Sequence, residues 1–334
     1  MANRKDVAKL AGVSGGTISN VFTNKGNVAP ETVIRVKEAA KKLKYVPNHI
    51  ARSLTLGRTN HIGIAVNEPT NPYHMEIAIA IEKEAILSDY MVTIFDLDSD
   101  VQNKLQCIER RQLDALINFT TINCDHDFVE LLYERGAVLV NFGTEVGMSF
   151  AIDTNSAIIE IMQKIAQLGH KNVGFVSTLD SLQYAADGRC NTMNLQRKTL
   201  LFDLSDDLIE YNSTRNTVSE DVGYTGCLNL MKRRPDVTCI MATNDMAAIG
   251  VMKALDDLGY KIPADVSVIG HDGINLTRLY TPSITTIGFS KVDYGNLIAD
   301  KIIEHLKNKT TCLGENYSVK GFPIYRNSLG TCNK

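Results

Sequence analysis

Residues 6–54 read DVAKLAGVSGGTISNVFTNKGNVAPETVIRVKEAAKKLKYVPNHIARSL and set the organisation of the N-terminal region. Apolar residues recur here at helical spacing, which predicts short helices over residues 4–11 and 15–22 and a third helix that begins at Pro30. Gly12-Val13-Ser14, between the first two helices, is typical of a turn. Two short helices joined by a glycine-containing turn form the helix-turn-helix pattern, whose second helix enters the major groove in DNA-binding proteins.

The charge of the chain is divided unevenly. The 334 residues carry a net charge of −3, but residues 1–58 hold 11 Lys and Arg against 3 Asp and Glu, a net charge of +8. The remaining residues hold 24 bases and 35 acids, a net charge of −11. A basic head on an acidic body indicates a polyanionic partner for the head, and a small basic domain without such a partner is the alternative.

Composition excludes several classes of protein. Hydrophobic residues make up 44% of the chain and charged residues 22%, as in ordinary globular proteins. No apolar run approaches the ~18 residues of a membrane span, and the N-terminal MANRKDVAKLAGVS lacks the apolar region of a secretory signal. Seven cysteines without a CxxC pair argue against a disulfide framework or a zinc site. We therefore expect a cytoplasmic protein that has no membrane association and binds no metal.

After residue 58, short apolar runs alternate with longer amphipathic stretches. This alternation is typical of parallel sheets covered by helices, and the number of strands favours two lobes over one sheet. Strands are predicted at residues 61–66, 92–96, 115–119, 137–141, 172–177, 238–243 and 266–270. Helices are predicted near residues 74–88, 101–112, 126–135, 156–168, 190–203, 219–233, 245–258 and 291–308.

The head closely resembles that of the lactose-repressor/galactose-repressor (LacI/GalR) family of bacterial transcription regulators. The matching pieces, in chain order, are Asp6-Val7-Ala8, Ala11-Gly12-Val13-Ser14, Thr17-Ile18-Ser19, Glu31-Thr32, Arg35-Val36, Tyr45-x-Pro47-Asn48 and Ala51-Arg52-Ser53-Leu54. The resemblance implies a helix-turn-helix domain at residues 1–46 and a hinge at residues 47–58 that folds as a helix on DNA.

The resemblance also implies which residues meet DNA. They are Ser14, Gly15, Gly16, Thr17, Asn20, Tyr45, Asn48, Arg52 and Leu54. Ser14 is expected to cap the recognition helix, and Thr17 and Tyr45 to position the DNA backbone. Asn20 stands where the family usually has Arg. Arg pairs best with guanine, whereas Asn can pair with adenine, so we expect Asn20 to favour adenine. The alternative is that Asn20 only holds a phosphate or a water.

Four positions of the head carry further expectations. Gly15 and Gly16 replace side chains that usually read bases, and glycine lets the backbone come close instead. Leu54 is expected to insert into the minor groove, whereas the alternative is a linker with one buried leucine. Ala29 stands where the family tends to have a serine cap for the third helix, a loss of about 1 kcal/mol that Pro30 partly offsets.

The body resembles the effector-binding core of the same family, which is similar to periplasmic sugar-binding proteins. Its anchors are Asn71-Pro72-Tyr73, Leu168-Gly169-His170, Asn244-Asp245-x-x-Ala248-x-Gly250, Gly270-His271-Asp272 and Pro282-Ser283-Ile284-Thr285-Thr286. The implied fold is a small all-α head plus an α/β periplasmic-binding-protein-like core of two doubly wound parallel-sheet lobes over residues 59–334. With crossings near residues 155, 289 and 320, lobe 1 comprises about 59–155 and 289–320, and lobe 2 about 156–288 and 321–334.

Ligands of such folds lie in the cleft at the carboxyl ends of the strands. The candidate effector-binding residues are Tyr73, His74, Asn141, Arg189, Asn244 and Asp272. His74 could instead be a solvent-facing loop residue and Asn141 a turn former, and the loop STLDSLQYAADG before Arg189 could shift that assignment. Asp245 is expected to cap the following helix. His271 and Gly273 replace the usual Phe and Asp, which leaves the ligand class open.

These observations predict a ligand-responsive transcriptional regulator, most simply a repressor, that binds a pseudo-palindromic DNA operator as a homodimer. A small polar effector, by default a sugar, would lie in the cleft, and a purine-like co-repressor is the alternative. A solute-binding protein without a DNA role is opposed by the basic head. An α/β enzyme with Asp272 or His271 as base is opposed by the absence of nucleophile–base motifs. No cofactor is expected.

Overall fold

The structure, a computed structural model, describes residues 2–23, 26–46, 58–97, 101–120, 126–141, 147–213, 218–310 and 312–333. The predicted hinge with Asn48, Arg52 and Leu54 lies outside the described residues, apart from Arg58. The chain divides into two compact units, residues 1–61 and 62–334, which are the head and the core.

The head consists of three helices: α1 (Arg4–Ala11), α2 (Gly15–Thr23) and α3 (Pro30–Lys42). Each helix turns one apolar stripe inward, and the buried side chains of the three stripes form one small core. Its members are Val7, Ala8, Ala11, Ile18, Val21, Val36, Ala39 and Ala40. The predicted helix-turn-helix is therefore confirmed.

The ends of the head helices follow from local chemistry. Gly12 adopts φ 65° at the end of α1, a left-handed conformation that glycine accepts without strain. Ser14 Oγ accepts a hydrogen bond from the Thr17 amide at 3.0 Å, which is the predicted cap of α2. Ala29 precedes α3 without a side-chain cap, and Pro30 occupies the first turn, also as predicted.

The core alternates strands and helices. In chain order its elements are β1 (His61–Val66), α4 (Pro72–Leu87), β2 (Met91–Asp96), α5 (Val101–Arg110), β3 (Ala115–Asn118), α6 (His126–Glu134), β4 (Val138–Asn141), β5 (Ser149–Asp153), α7 (Asn155–Gln167), β6 (Val173–Val176), α8 (Ser181–Ala186), α9 (Gly188–Thr199), β7 (Ile209–Glu210), α10 (Ser219–Arg233), β8 (Cys239–Ala242), α11 (Asp245–Asp257), β9 (Ser267–Asp272), β10 (Thr285–Gly288), α12 (Lys291–Asn308), β11 (Asn316–Lys320) and β12 (Phe322–Ile324).

Lobe 1 is built on a four-stranded sheet in the order β2-β1-β3-β4. β3 pairs in parallel with both neighbours, with Ile62 opposite Ala115 and Leu116 opposite Leu139. β1, β3 and β4 are buried throughout, which explains their continuous apolar runs. Helices α4 and α12 cover one face through a shared core that includes Ile81 and Ile302.

Lobe 2 is built on a six-stranded sheet in the order β12-β10-β9-β8-β6-β7. The described pairings are parallel except for the edge strand β12, which runs antiparallel to β10. One face carries α10 and α11 and the other carries α7 and α9, so the sheet has a buried cluster on each side.

The chain crosses between the lobes three times. It enters lobe 2 between β5 and α7, returns between β10 and α12, and enters lobe 2 again between β11 and β12. β5 and β11 pair in parallel as a separate two-stranded sheet, with Phe150 opposite Tyr317. Two of the three connections therefore start from strands that lie side by side.

Every strand and helix predicted for the core is present, with bounds shifted by at most four residues. The strands β5, β7, β11 and β12, which lie at sheet edges, and the four-residue strand β10 were not predicted. Helix α8 corrects the interpretation of residues 177–188 as a loop. The sequence feature that marks this helix is the capping box of Asp180 and Gln183, in which each side chain accepts the backbone amide of the other residue.

Among the helices of the described residues, none is both long enough and apolar enough to cross a lipid bilayer.

Candidate functional site

A cavity of about 590 Å³ opens between the two lobes of the core. It lies at the carboxyl ends of β1, β6, β8 and β9, where ligands of open α/β sheets bind. Its walls combine aromatic rings with amides, hydroxyls and a few charged groups. The lining residues are Asn67, Glu68, Asn71, Tyr73, His74, Phe150, Ile152, Thr154, Thr178, Leu179, Gln183, Arg189, Asn212, Ser219, Val222, Thr243, Asn244, His271, Asp272, Phe289 and Tyr294.

Five of the six candidate effector residues line this cavity: Tyr73, His74, Arg189, Asn244 and Asp272. The structure places the sixth, Asn141, beside Asn118 at the end of β4, and its role in effector binding stays a prediction. Its buried side chain is absent from the described lining, and its Oδ1 accepts a hydrogen bond from Asn118 Nδ2 at 2.9 Å. This amide pair joins the ends of β3 and β4 and satisfies polar groups that burial would otherwise leave costly.

Helix α4 positions the aromatic side of the cavity. Asn71 caps the helix by accepting a hydrogen bond from the Tyr73 amide at 3.0 Å, and Pro72 occupies the first turn. The Tyr73 ring meets the Phe289 ring edge-on, with 6.0 Å between centroids. Burial raises the pKa of Tyr73, so its hydroxyl stays neutral. His74 is mostly buried, and its Nδ1 lies 3.2 Å from the Glu68 carbonyl oxygen.

Helix α11 positions the amide side. Asn244 is its cap, since its Oδ1 accepts the Ala247 amide at 2.7 Å. Asp245 was expected to cap this helix, and that expectation was wrong. It is fully buried and accepts hydrogen bonds from the Ile274 amide at 2.8 Å and the Thr286 hydroxyl at 2.6 Å. Burial and then the nearby Asp272 charge raise the pKa of Asp245.

The residues at the end of β9 form a polar part of the cavity lining. Asp272 has φ 116°, a strained conformation for a residue with a side chain, and the β9–β10 pairing holds it there. Its Oδ1 lies 3.4 Å from His271 Nδ1, and His271 Nε2 lies 3.4 Å from Thr154 Oγ1. Burial lowers the pKa of His271, which favours its neutral form. The Lys291 ammonium donates to the Asp272 carbonyl oxygen.

Arg189, near the start of α9, holds an ion pair with Asp187. Asp187 Oδ2 lies 2.7 Å from Arg189 Nη2, and Asp187 Oδ1 lies 3.1 Å from Arg189 Nε. Burial lowers the pKa of Arg189, but the Asp187 hydrogen bond and charge outweigh it and the net pKa is raised. The guanidinium is thus charged and partly occupied before any ligand arrives.

Hydrogen bonds also cross the cleft. Glu68 of lobe 1 accepts from both the amide and the hydroxyl of Ser219 in lobe 2, each at 2.9 Å. Glu76 accepts from the Asn275 amide at 2.8 Å. Glu68, Asp187 and Ser219 were not predicted from the sequence. The helix starts at Asp187 and Ser219 were visible in the sequence. The positions of these two residues relative to the cleft were not.

No cluster of His, Cys, Asp and Glu among the described residues is arranged to hold a metal ion.

The head presents a different kind of surface. Ser14, Gly16 and Asn20 are exposed, while Gly15 and Thr17 are partly exposed. Helix α2 carries no charged residue, whereas the Lys and Arg side chains of α1 and α3 are exposed. This arrangement suits a helix that meets base edges between flanking groups that neutralise phosphates. Tyr45 packs near Phe22, with 6.1 Å between ring centroids.

A helix-turn-helix head joined to a two-lobed, binding-protein-like core defines a ligand-responsive DNA-binding regulator. Comparisons with known proteins agree. Residues 4–48 match the profile of bacterial regulatory proteins of the lacI family, and residues 162–329 match that of periplasmic binding protein-like domains.

Relatives match over almost the whole chain. The transcriptional regulator MalR of Clostridium butyricum is 30% identical, with 95% of each chain covered. The transcriptional repressor PurR of Mannheimia succiniciproducens is 28% identical, covering 92% of this chain and 93% of its own. The chain therefore belongs to the LacI family of bacterial transcriptional regulators. It is a DNA-binding regulator with an effector-binding core.

Solved structures share the fold at lower identity. The lac repressor dimer bound to operator and an anti-inducer is 18% identical, with 98% of each chain covered and a TM-score of 0.77. The complex of the transcriptional regulator CelR with cellobiose is 21% identical, covers 98% of this chain and 100% of its own, and has a TM-score of 0.70.

Proposed function

We propose that this protein is a cytoplasmic repressor that binds a pseudo-palindromic operator as a homodimer and responds to a sugar in the cleft. The observation that carries the effector class is the lining of the cavity. Tyr73 and Phe289 offer aromatic surface, while Asn244 and Asp272 offer acceptors for hydroxyl groups. A polyhydroxylated ring needs both kinds of contact.

A purine-like co-repressor is the second candidate. Several relatives carry the name PurR, including the one from Haemophilus influenzae strain PittEE at 27% identity. The aromatic wall of Tyr73 and His74 could also stack on a flat heterocycle. The acceptors Asp272 and Asn244 do not by themselves separate a base from a sugar.

For DNA recognition we propose that α2 lies in the major groove. Ser14, Gly15, Gly16 and Thr17 would approach the backbone and base edges at its N-terminus, and Asn20 would contact a base. Tyr45, Asn48 and Arg52 would position the DNA backbone, and Leu54 would enter the minor groove. The exposed, uncharged surface of α2 supports this assignment.

For the homodimer we propose an interface on lobe 1. Helix α4 and the edge strand β2 expose large apolar side chains, with Leu87 77% and Met91 62% exposed. Ile79, Ile86 and Ile94 extend the same pair of elements. Contiguous apolar exposure of this kind marks an interaction surface, and the related lac repressor was solved as a dimer.

We also propose the domain division expected from the sequence: a DNA-binding domain at 1–46, a hinge at 47–58 and a core at 59–334. The compact units at 1–61 and 62–334 support it.

The test of the regulator function is DNA selection from a random library with the full-length protein, first without ligand. A pseudo-palindrome with a central CG-like step is the expected result. The selection is then repeated with pooled sugars and with pooled nucleobases. Enrichment that changes with one pool identifies the effector class, whereas no enrichment under any condition contradicts the proposal.

The cleft is tested by Asp272→Ala. We expect the selected operator to be bound as tightly as by the wild type, while the ligand-dependent change in operator affinity disappears. Fluorescence anisotropy with the selected operator measures both quantities. A response that survives in the variant would remove Asp272 from the effector site.

A further inference from the structure

The Asp187 carboxylate accepts more hydrogen bonds than the capping of a helix requires. Its Oδ1 accepts hydrogen bonds from the amides of Arg189 at 2.8 Å and Cys190 at 3.3 Å, which begin α9. The same carboxylate receives Arg189 Nε and Nη2, the closest contact being 2.7 Å. Burial raises the pKa of Asp187, but the Arg189 hydrogen bonds outweigh it and the net pKa is lowered. Asp187 is therefore an anion at neutral pH.

The partners of Asp187 are those that proteins use to bind external anions. Free amides at a helix N-terminus attract phosphate, and an arginine fork beside them adds charge and directed donors. Helix α9 extends over Gly188–Thr199, so its N-terminus carries an established dipole. Here a carboxylate of the chain itself already fills that position.

The rest of the cavity adds negative charge. Among the described lining residues, Arg189 is the only one with a permanent positive charge, whereas Glu68 and Asp272 are carboxylates. The Lys291 ammonium is directed to a backbone carbonyl and lies 4.4 Å from the centre of the Phe289 ring. A ligand anion that entered would meet an arginine whose charge Asp187 already balances.

We propose that the cleft selects an uncharged polyhydroxylated ligand and rejects its phosphorylated or carboxylated counterpart, and that Asp187 sets this selectivity. The inference rests on the proposed effector function of the cleft. It leaves Arg189 Nη1, which has no hydrogen bond to a described residue, as a donor for a hydroxyl group.

Inorganic phosphate is a direct probe, because it needs no knowledge of the effector. The melting temperature of the full-length protein is compared in phosphate and in sodium chloride of equal ionic strength at pH 7. Phosphate stabilises proteins generally, so the wild type gives the reference difference. We expect this difference to grow by about 2 °C or more in Asp187→Ala, because the variant exposes an anion site. The double variant Asp187→Ala/Arg189→Ala should return to the reference.

Asp180→Ala is a matched control. Asp180 caps α8 through the amides of Leu182 and Gln183, in the same segment of lobe 2, but it bonds no arginine. The loss of this cap should lower the melting temperature without changing the phosphate effect. Asp187→Asn keeps the shape of the side chain and serves where the alanine variant folds poorly. It should show a smaller gain in the same direction.

Three results would each overturn the inference. The first is a wild-type phosphate effect that falls in Arg189→Ala. The second is a wild-type melting temperature that glucose 6-phosphate raises more than glucose does. The third is an unchanged phosphate effect in both Asp187→Ala and Asp187→Asn. Operator selection with the wild type separates these failures from failure of the regulator function, since it does not depend on the charge of the ligand.

Discussion

The buried side chain of His170 joins two segments that are distant in the sequence. Its Nε2 donates to the Gly330 carbonyl oxygen at 2.9 Å, and its Nδ1 lies 2.9 Å from Thr238 Oγ1. The neutral ring satisfies both partners, and burial lowers the pKa of His170 below 6.5. This role was not predicted from the sequence. Leu168-Gly169 marks a helix end, but the partners lie 68 and 160 residues away.

The pH dependence of stability follows with a definite sign. Below about pH 6.5 the unfolded chain takes up a proton that folded His170 resists, so the free energy of unfolding falls as the pH is lowered. We expect His170→Gln to be about 2 kcal/mol less stable at pH 7.5, because buried hydrogen bonds are lost. Between pH 7.5 and 5.5, the free energy of unfolding of the variant should fall by less than that of the wild type. Urea unfolding at the two pH values measures both, and an equal loss in the two proteins would contradict the assignment.

Candidate site residues were predictable where a motif ties them to an element end. Asn244 follows β8, Asp272 ends β9, and Tyr73 follows the Asn71-Pro72 helix start, so the order of these elements brings the three residues to the cleft. Asn141 ends β4, and its Oδ1 accepts a hydrogen bond from Asn118 of the neighbouring strand. No local pattern distinguishes an amide that faces a ligand from one that bonds a neighbouring strand.

At the scale of the element, the uncapped start of α3 gives a simple prediction. Ala29→Ser adds an acceptor for the free amides of the first turn and should stabilise the helix by about 1 kcal/mol. Amide hydrogen exchange in the first turns of α3 should slow about fivefold in the full-length protein.

Ser14→Ala is the reciprocal variant, because it removes the cap that the Thr17 amide uses. Exchange in α2 should then become faster by a similar factor. Unchanged exchange in both variants would show that tertiary packing, and not capping, limits the opening of the head helices.

Helices α10 and α11 approach each other through glycine. A Cβ at Gly250 would overlap the Glu220 carbonyl oxygen, and one at Gly223 would overlap the Ala247 carbonyl oxygen. This close approach gives a physical reason for Gly250 in the Asn244-Asp245-x-x-Ala248-x-Gly250 motif. The motif was visible in the sequence, but the facing Gly223 belongs to another helix and was not singled out.

Gly250→Ala should therefore force the two helices apart and destabilise the protein by about 3 kcal/mol. The N-termini of these helices carry Ser219 and Asn244 into the cleft, so the ligand-dependent change in operator affinity should weaken as well. Urea unfolding measures the first effect. Gly188→Ala is the control for stability, because a Cβ there meets nothing within 4 Å. Equal losses in the two variants would remove the close approach as the cause.

At the scale of the whole molecule, the bonds across the cleft favour a closed arrangement of the lobes. Glu68 receives two hydrogen bonds from Ser219, and Asn71 donates a third to it at 3.0 Å. Hydrogen bonds to a charged group are stronger than neutral ones. The closed arrangement thus has support from within the chain, which a ligand that touches both lobes would increase.

Glu68→Ala should shift the ligand-free core towards a more open arrangement. Small-angle scattering of the full-length protein should report a larger radius of gyration than that of the wild type. Glu82→Ala is the control, because Glu82 is exposed on α4, the helix that follows Glu68 in lobe 1, and makes no described bond across the cleft. An unchanged radius in both variants would mean that the crossing strands alone set the lobe angle.

The discontinuity of the lobes has a consequence for synthesis of the chain. The sheet of lobe 1 is complete by Asn141, yet its covering helix α12 begins only at Lys291, where Tyr294 donates a hydrogen bond to the Phe150 carbonyl oxygen. In a nascent chain that has made most of lobe 2, one apolar face of lobe 1 is still only partly covered, by α4. Contacts this distant along the chain form slowly, and uncovered apolar faces invite aggregation. We therefore expect lobe 1 to be the part that needs chaperone protection while the ribosome completes lobe 2.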